Sequence, residues 1–137
     1  MPCGLWSTRC ALVTRIDGKR EDFVVKGNAV GLSRCIVAVA DNAIAHSPEG
    51  GQVTVSLGYH HHGDAAIRVS DHGAGIADDT ERLFRRFARD DDGTAHQGYG
   101  LGLALARDVA SRYGGTVEVE STSTHGTVML ITLPLTA

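Results

Sequence analysis

Three cysteines, Cys3, Cys10 and Cys35, are too few and too irregular for a disulfide framework, and no Cys-x-x-Cys spacing is present to suggest a thiolate zinc site. Cys35 falls within an apolar helical pattern, where a thiol acts as a small core hydrophobe. Long apolar runs are also missing: the longest, Cys35 to Ala40, is far too short to span a bilayer. The opening stretch, MPCGLWSTRC, lacks the apolar segment of a signal peptide. A cytoplasmic chain with no membrane contact is expected. Positive charge is not in excess either. The formal net charge is −3, which argues against the basic footprint of a nucleic-acid partner. Repeats, linkers and a purification tag are absent from the 137 residues, which suit a single domain over 1–137 with a real core.

Glycine is what the sequence has in plenty, at 17 residues, most of them clustered. Around the clusters the pattern predicts the elements. Ala11 to Ile16 and Asp22 to Val25 flank Asp17-Gly18, a hairpin turn signal. Asn28 caps a helix running to about His46, with an apolar stripe of Leu32, Cys35, Ile36, Val39, Ala40 and Ala43. Ser47-Pro48-Glu49-Gly50-Gly51 breaks it. Val53, Val55 and Leu57 alternate as a half-buried strand, answered by Ala65 to Ser70 across a turn holding His60, His61 and His62. Asp78 and Glu81 form a capping box for a short helix through Phe87. Residues 88–99, ARDDDGTAHQGY, have no period and read as a long functional loop. Leu101 to Tyr113 is helical, ended by Gly114-Gly115. Thr116 to Glu120 and Thr127 to Leu133 close the chain as strands. The sum is a two-layer α/β sandwich: a mixed, mostly antiparallel sheet with about three helices on one face.

Three stretches carry chemistry. In the first helix Asn42 stands off the apolar stripe. It reads either as a solvent-facing amide or as an oxygen donor for Mg²⁺. In SDHGAGI, Asp71 ends a strand and precedes Gly73 and Gly75. This is either a tight Asp-Gly turn, or a carboxylate that accepts from the exocyclic amine of adenine while the base lies on bare backbone. In GYGLGL, Gly98, Gly100 and Gly102 open a helix after a loop, an arrangement that lets backbone N–H groups approach a phosphate chain. The dinucleotide and Walker fingerprints are both unmet. The three consecutive histidines point in different directions with no carboxylate or thiol at ligand spacing, so no metal site is expected there. The Asp90, Asp91 and Asp92 run is read as a solvated loop.

Taken in order, "DNAIAHSPEGG", "SDHGAGI", "LFRRFAR" and "GYGLGLALA" resemble the N, G1, F and G2 boxes of the GHKL ATPase superfamily, and most resemble the ATP-binding catalytic domain of sensor histidine kinases. The likeness covers about residues 24–134. It implies a two-layer sandwich of the GHKL ATPase type with a flexible ATP lid over 88–99, and ATP and Mg²⁺ as ligands. It implies that Asn42 holds the metal, that Asp71 reads adenine, and that Gly73, Gly75 and Ile76 line the purine side. It also implies that Gly98, Tyr99, Gly100, Leu101, Gly102 and Leu103 shape the phosphate side. Phe84 and Phe87 resemble the F box, which is equally readable as core. Arg89 is expected to touch phosphate or lid, with Arg85 and Arg86 in solvent. Two positions depart from the family: Ala38 replaces a polar residue one turn before Asn42, and Ala45 replaces a basic one. His46 is offered as a partial substitute.

A histidine kinase transfers phosphate to a histidine on a dimeric helical hairpin, and no such hairpin fits before Ala11. The expected partners are therefore a His-containing dimerisation/phosphoacceptor domain, of the same parent protein or a separate chain, and a response regulator downstream. The chain alone is expected to be monomeric and inactive without its acceptor. The alternatives are an anti-sigma-factor-type Ser kinase, whose N box carries the Glu missing here, and a non-catalytic ATP-binding regulatory module.

Overall fold

The computed structural model describes residues 11–60, 63–73, 75 and 102–136. The predicted helix over 78–87 and the loop 88–99 lie outside them. Chain order is β1 (Ala11–Ile16), a 3₁₀ turn (Arg20–Asp22), α1 (Ala29–His46), β2 (Gln52–His60), β3 (Asp64–Ser70), α2 (Gly102–Arg112), β4 (Thr116–Ser123) and β5 (Gly126–Pro134). The strands form one open sheet in the order β1-β2-β3-β5-β4. β1 runs parallel to β2, and every other pair is antiparallel.

The core lies between this sheet and the two helices. Register places Leu57, Ile67, Ile131 and Val117 in one row across four strands, and Val55, Val69, Met129 and Val119 in the next. Against these rows pack Cys35, Val39 and Ala43 of α1 and Leu103, Ala106 and Ala110 of α2. Burial of each larger apolar side chain contributes about 1.5–3 kcal/mol. Alanines at the contact let the helices approach closely, and the Cys35 thiol reaches the Ala106 carbonyl at 3.3 Å. Burial pushes the Cys35 pKa up to about 11, so the thiol stays protonated and acts as packing.

The caps are those the sequence predicts. Asn28 Oδ1 accepts from the Gly31 N–H at 2.9 Å. At the end of α2 the Gly115 N–H reaches the Ala110 carbonyl and the Gly114 N–H the Ser111 carbonyl, the paired bonds of a glycine-terminated helix. Tyr113 ties the helices together, its hydroxyl accepting from the Asn28 N–H at 3.1 Å.

One expectation is corrected. Asp17-Gly18 does not join two paired strands. β1 instead lies parallel beside β2, Leu12 opposite Val53, and α1 is the crossover that a parallel pair requires. Residues 22–25 form no strand. The end of the chain captures this segment: Val25 bridges Leu135, and both the N–H and the hydroxyl of Thr136 donate to the Val24 carbonyl. Phe23 stacks on Tyr59 at 4.7 Å.

Candidate functional site

Asp71 continues β3 by one residue. Its N–H donates to the Thr127 carbonyl at 2.9 Å. Its Oδ1 accepts twice, from the Gly73 N–H at 2.9 Å and from the Thr127 N–H at 3.2 Å. Asp71 is 7% exposed, and among the described residues no bond reaches Oδ2. A carboxylate held by one oxygen in this way presents the other as an acceptor in a fixed direction. The Asp-Gly turn is therefore real, and it leaves one acceptor over.

The glycines after Asp71 have a structural reason of their own. A Cβ on Gly73 would collide with the carbonyl oxygen of His46, so the turn packs directly on the last residue of α1. A Cβ on Gly75, at φ +90°, would collide with the Ser123 carbonyl oxygen in the β4–β5 turn. At both positions the missing side chain makes room for the chain's own backbone.

Asn42 lies one turn before His46, on the same face of α1. It is 6% exposed, not solvent-facing, and its Oδ1 has no hydrogen-bond partner among the described residues. A buried acceptor without a partner is costly and calls for an explanation. One turn earlier still, Ala38 approaches Gly102, the first residue of α2, with 3.7 Å between its Cβ and the place a Gly102 Cβ would take. The face Ala38–Asn42–His46 thus runs from the N-terminus of α2 to the Asp71 turn. That helix end favours anions. The arrangement brings together an oriented carboxylate, an unpartnered amide oxygen and a helix N-terminus along one edge of the core. The donor set fits a hard cation at Asn42, which prefers oxygen ligands.

The described residues thus bring together Asn42, the backbone of His46, Asp71, Gly73, Gly75 and Gly102. The His46 side chain is exposed. The Leu103 side chain is 0% exposed in the core, so only its backbone is available to a ligand. Ile76, Phe87, Arg89, Gly98, Tyr99, Gly100 and Leu101 lie outside the described residues, as do His61 and His62. No group of three or more metal-ligating side chains occurs among the described residues. Two participants escape the sequence reading. Thr127 donates to Asp71, and Gly126 packs so closely that its Cβ would collide with the Asp71 carbonyl. The one visible signal is a glycine within the polar stretch STSTHGT.

Residues 27–137 match the family described as histidine kinase-, DNA gyrase B-, and HSP90-like ATPases. The chain belongs to this family, and is an ATP-binding catalytic domain of the histidine kinase kind. It is 43% identical over 103 residues to the signal transduction histidine-protein kinase/phosphatase MprB of Mycolicibacterium smegmatis, matching 74% of this chain and 21% of that protein. To MprB of Mycobacterium ulcerans it is 39% identical over 115 residues, 80% of this chain and 22% of the relative. The chain thus spans about a fifth of the length of these curated relatives. Among solved structures, a mycobacterial sensor histidine kinase MprB superposes with a TM-score of 0.76 at 30% identity, covering 96% of this chain and 89% of that one. The nucleotide-free catalytic domain of histidine kinase ThkA gives 0.78 at 20% identity, covering 98% and 86%, a likeness of fold. No described helix is long and apolar enough to cross a membrane.

Proposed function

We propose that this chain binds ATP with Mg²⁺ and transfers the γ-phosphate to a histidine of a dimerisation/phosphoacceptor domain, with a response regulator downstream. The observation that carries the reading is the buried Asn42 amide oxygen, unpartnered among the described residues, on the face of α1 that meets the Asp71 turn. Asp71 Oδ2 accepts from the adenine amine, and would repel the carbonyl that guanine has there. The backbone at the start of α2 receives the phosphates. Asn42 would hold the Mg²⁺, which when bound neutralises charge on the triphosphate. The unprotonated imidazole nitrogen of the acceptor attacks the γ-phosphorus, the bond to the β–γ bridging oxygen breaks, ADP leaves, and the proton on the ring's other nitrogen goes to solvent or to the acceptor domain. Positioning and charge neutralisation are what this chemistry chiefly needs. Ala38 cannot act as a base. The reading places the chain in the cytoplasm, where ATP is available, either within a longer sensor or beside a separate acceptor.

The test is to incubate the chain with γ-labelled ATP and a separately expressed histidine acceptor domain. Acid-labile, base-stable label on the acceptor is expected. Acid-stable label on a serine-bearing partner, or binding without transfer to any partner, overturns the reading. The histidine-protein kinase relatives weigh against both of those outcomes.

A further inference from the structure

β4 carries one residue more than its partner strand. Val119 pairs with Met129 and Ser121 with Val128, so Glu120 is the extra residue of a bulge. Side chains alternate between the faces of a strand, and an inserted residue reverses the alternation beyond it. Val117 and Val119 face the core. By simple count Thr122 would face away from it. Beyond the bulge Thr122 instead shares a side with Thr127, their hydroxyl oxygens 2.9 Å apart. Its hydroxyl comes within 3.2 Å of the place a Gly75 side chain would take. The turn that follows meets the Asp71 loop twice, Ser123 against Gly75 and Gly126 against the Asp71 carbonyl. The Thr127 N–H then closes on Asp71 Oδ1.

The bulge is pinned from the other face of the sheet. Arg68 Nε donates to Glu120 Oε1 at 2.8 Å and Nη2 to Oε2 at 3.0 Å. Arg68 lies on β3, three residues before Asp71, and β5 separates β3 from β4. The pair therefore clasps both outer strands of this group across the middle one. Exposed ion pairs usually contribute little, but this one is bidentate, with side chains only 33% and 35% exposed.

We propose that Arg68 and Glu120 are positioning residues for the nucleotide site. They hold the bulge, and the bulge sets the register that brings Thr122, Thr127 and the 123–126 turn against the Asp71 loop. Selectivity for ATP over GTP then depends on two side chains that touch no nucleotide. This rests on the reading of Asp71 as the adenine-recognising group.

The test uses the full chain in four forms: wild type, Glu120→Gln, the swap Arg68→Glu with Glu120→Arg, and Glu118→Gln, an exposed control on the same strand. ATP and GTP affinities are measured by calorimetry. Hydrogen exchange of the Gly73 and Thr127 amides is measured without nucleotide. Glu120→Gln is expected to weaken ATP binding by about two- to fivefold and GTP binding hardly at all. It should speed exchange at Gly73 and Thr127 while leaving Gly115, at the far end of α2, unchanged. The swap is expected to recover most of both effects, and Glu118→Gln to alter neither. Unchanged selectivity with unchanged exchange overturns the proposal, as does equal acceleration at Gly115, which would mark general destabilisation. If wild type takes up no ATP, the functional reading falls, and exchange at Gly73 and Thr127 alone upholds or overturns the positioning role.

Discussion

Asp71 and Asn42 do opposite things with their buried oxygens. Asp71 Oδ1 is bonded twice, to Gly73 and Thr127. The amide oxygen of Asp71→Asn could keep both bonds, so the fold should survive. Its NH₂, however, would stand where Oδ2 stood and present donors to the adenine amine. ATP affinity is expected to fall at least about tenfold, with the melting temperature nearly unchanged, as calorimetry and thermal denaturation would record. Asn42 Oδ1, by contrast, costs stability because it is buried without a partner among the described residues. Asn42→Ala should leave unfolding free energy within about 1 kcal/mol of wild type, or raise it, while abolishing the magnesium dependence of ATP binding. A large loss of stability with binding intact would make Asn42 an ordinary packing residue. The residue types at these two positions were legible in the sequence. Their burial was not: the helical count sets Asn42 off the apolar stripe, yet in the folded chain it is 6% exposed and Asp71 7%.

At the scale of elements, the glycine turn after β3 works by contact with segments far away in sequence. Gly75 and Gly50 both have positive φ, at +90° and +80°, but a Cβ on Gly50 would have nothing within 4 Å, whereas one on Gly75 would face the Ser123 carbonyl. Gly50→Ala is expected to cost only backbone strain, about 1 kcal/mol. Gly75→Ala adds a collision, and should cost about 2–3 kcal/mol in urea denaturation and weaken ATP binding as well. Equal costs would mean that the β4–β5 turn yields freely. Helix α1, β2 with β3 across its turn, and the two closing strands were all readable from period, caps and turn residues, and so were the bounds of β1. The neighbour that β1 pairs with was not. Asp17-Gly18 announces a reversal, but a turn signal is local and does not say which edge receives the next segment. The Leu135 and Thr136 contacts, more than a hundred residues on, take residues 24–25 instead.

Over the whole molecule, the Arg68–Glu120 pair links stability to pH. Hydrogen bonds from Arg68 hold the Glu120 carboxyl below its ordinary value of 4.5, against the opposing effect of burial, with further help from the Arg68 and His60 charges. A carboxylate whose pKa is lower in the folded state stabilises the fold above the unfolded value, and that contribution fades as pH falls below it. Wild type should therefore exceed Glu120→Gln in unfolding free energy by at most about 1 kcal/mol at pH 7. The gap should close as denaturation is repeated at pH values falling below 4.5. A constant gap would assign the effect to packing instead of charge.

Residue order was enough to give the helix and most strand boundaries, the family, and the two side chains on which the functional reading turns, because caps, periods and short motifs are properties of neighbouring residues. Folding in three dimensions was needed to make β1 parallel, to bury Asn42, and to set Thr127 and the β4–β5 turn against Asp71. Each of these depends on which distant backbone comes within hydrogen-bonding or van der Waals reach. A one-residue bulge changes that outcome without leaving any mark in the local pattern.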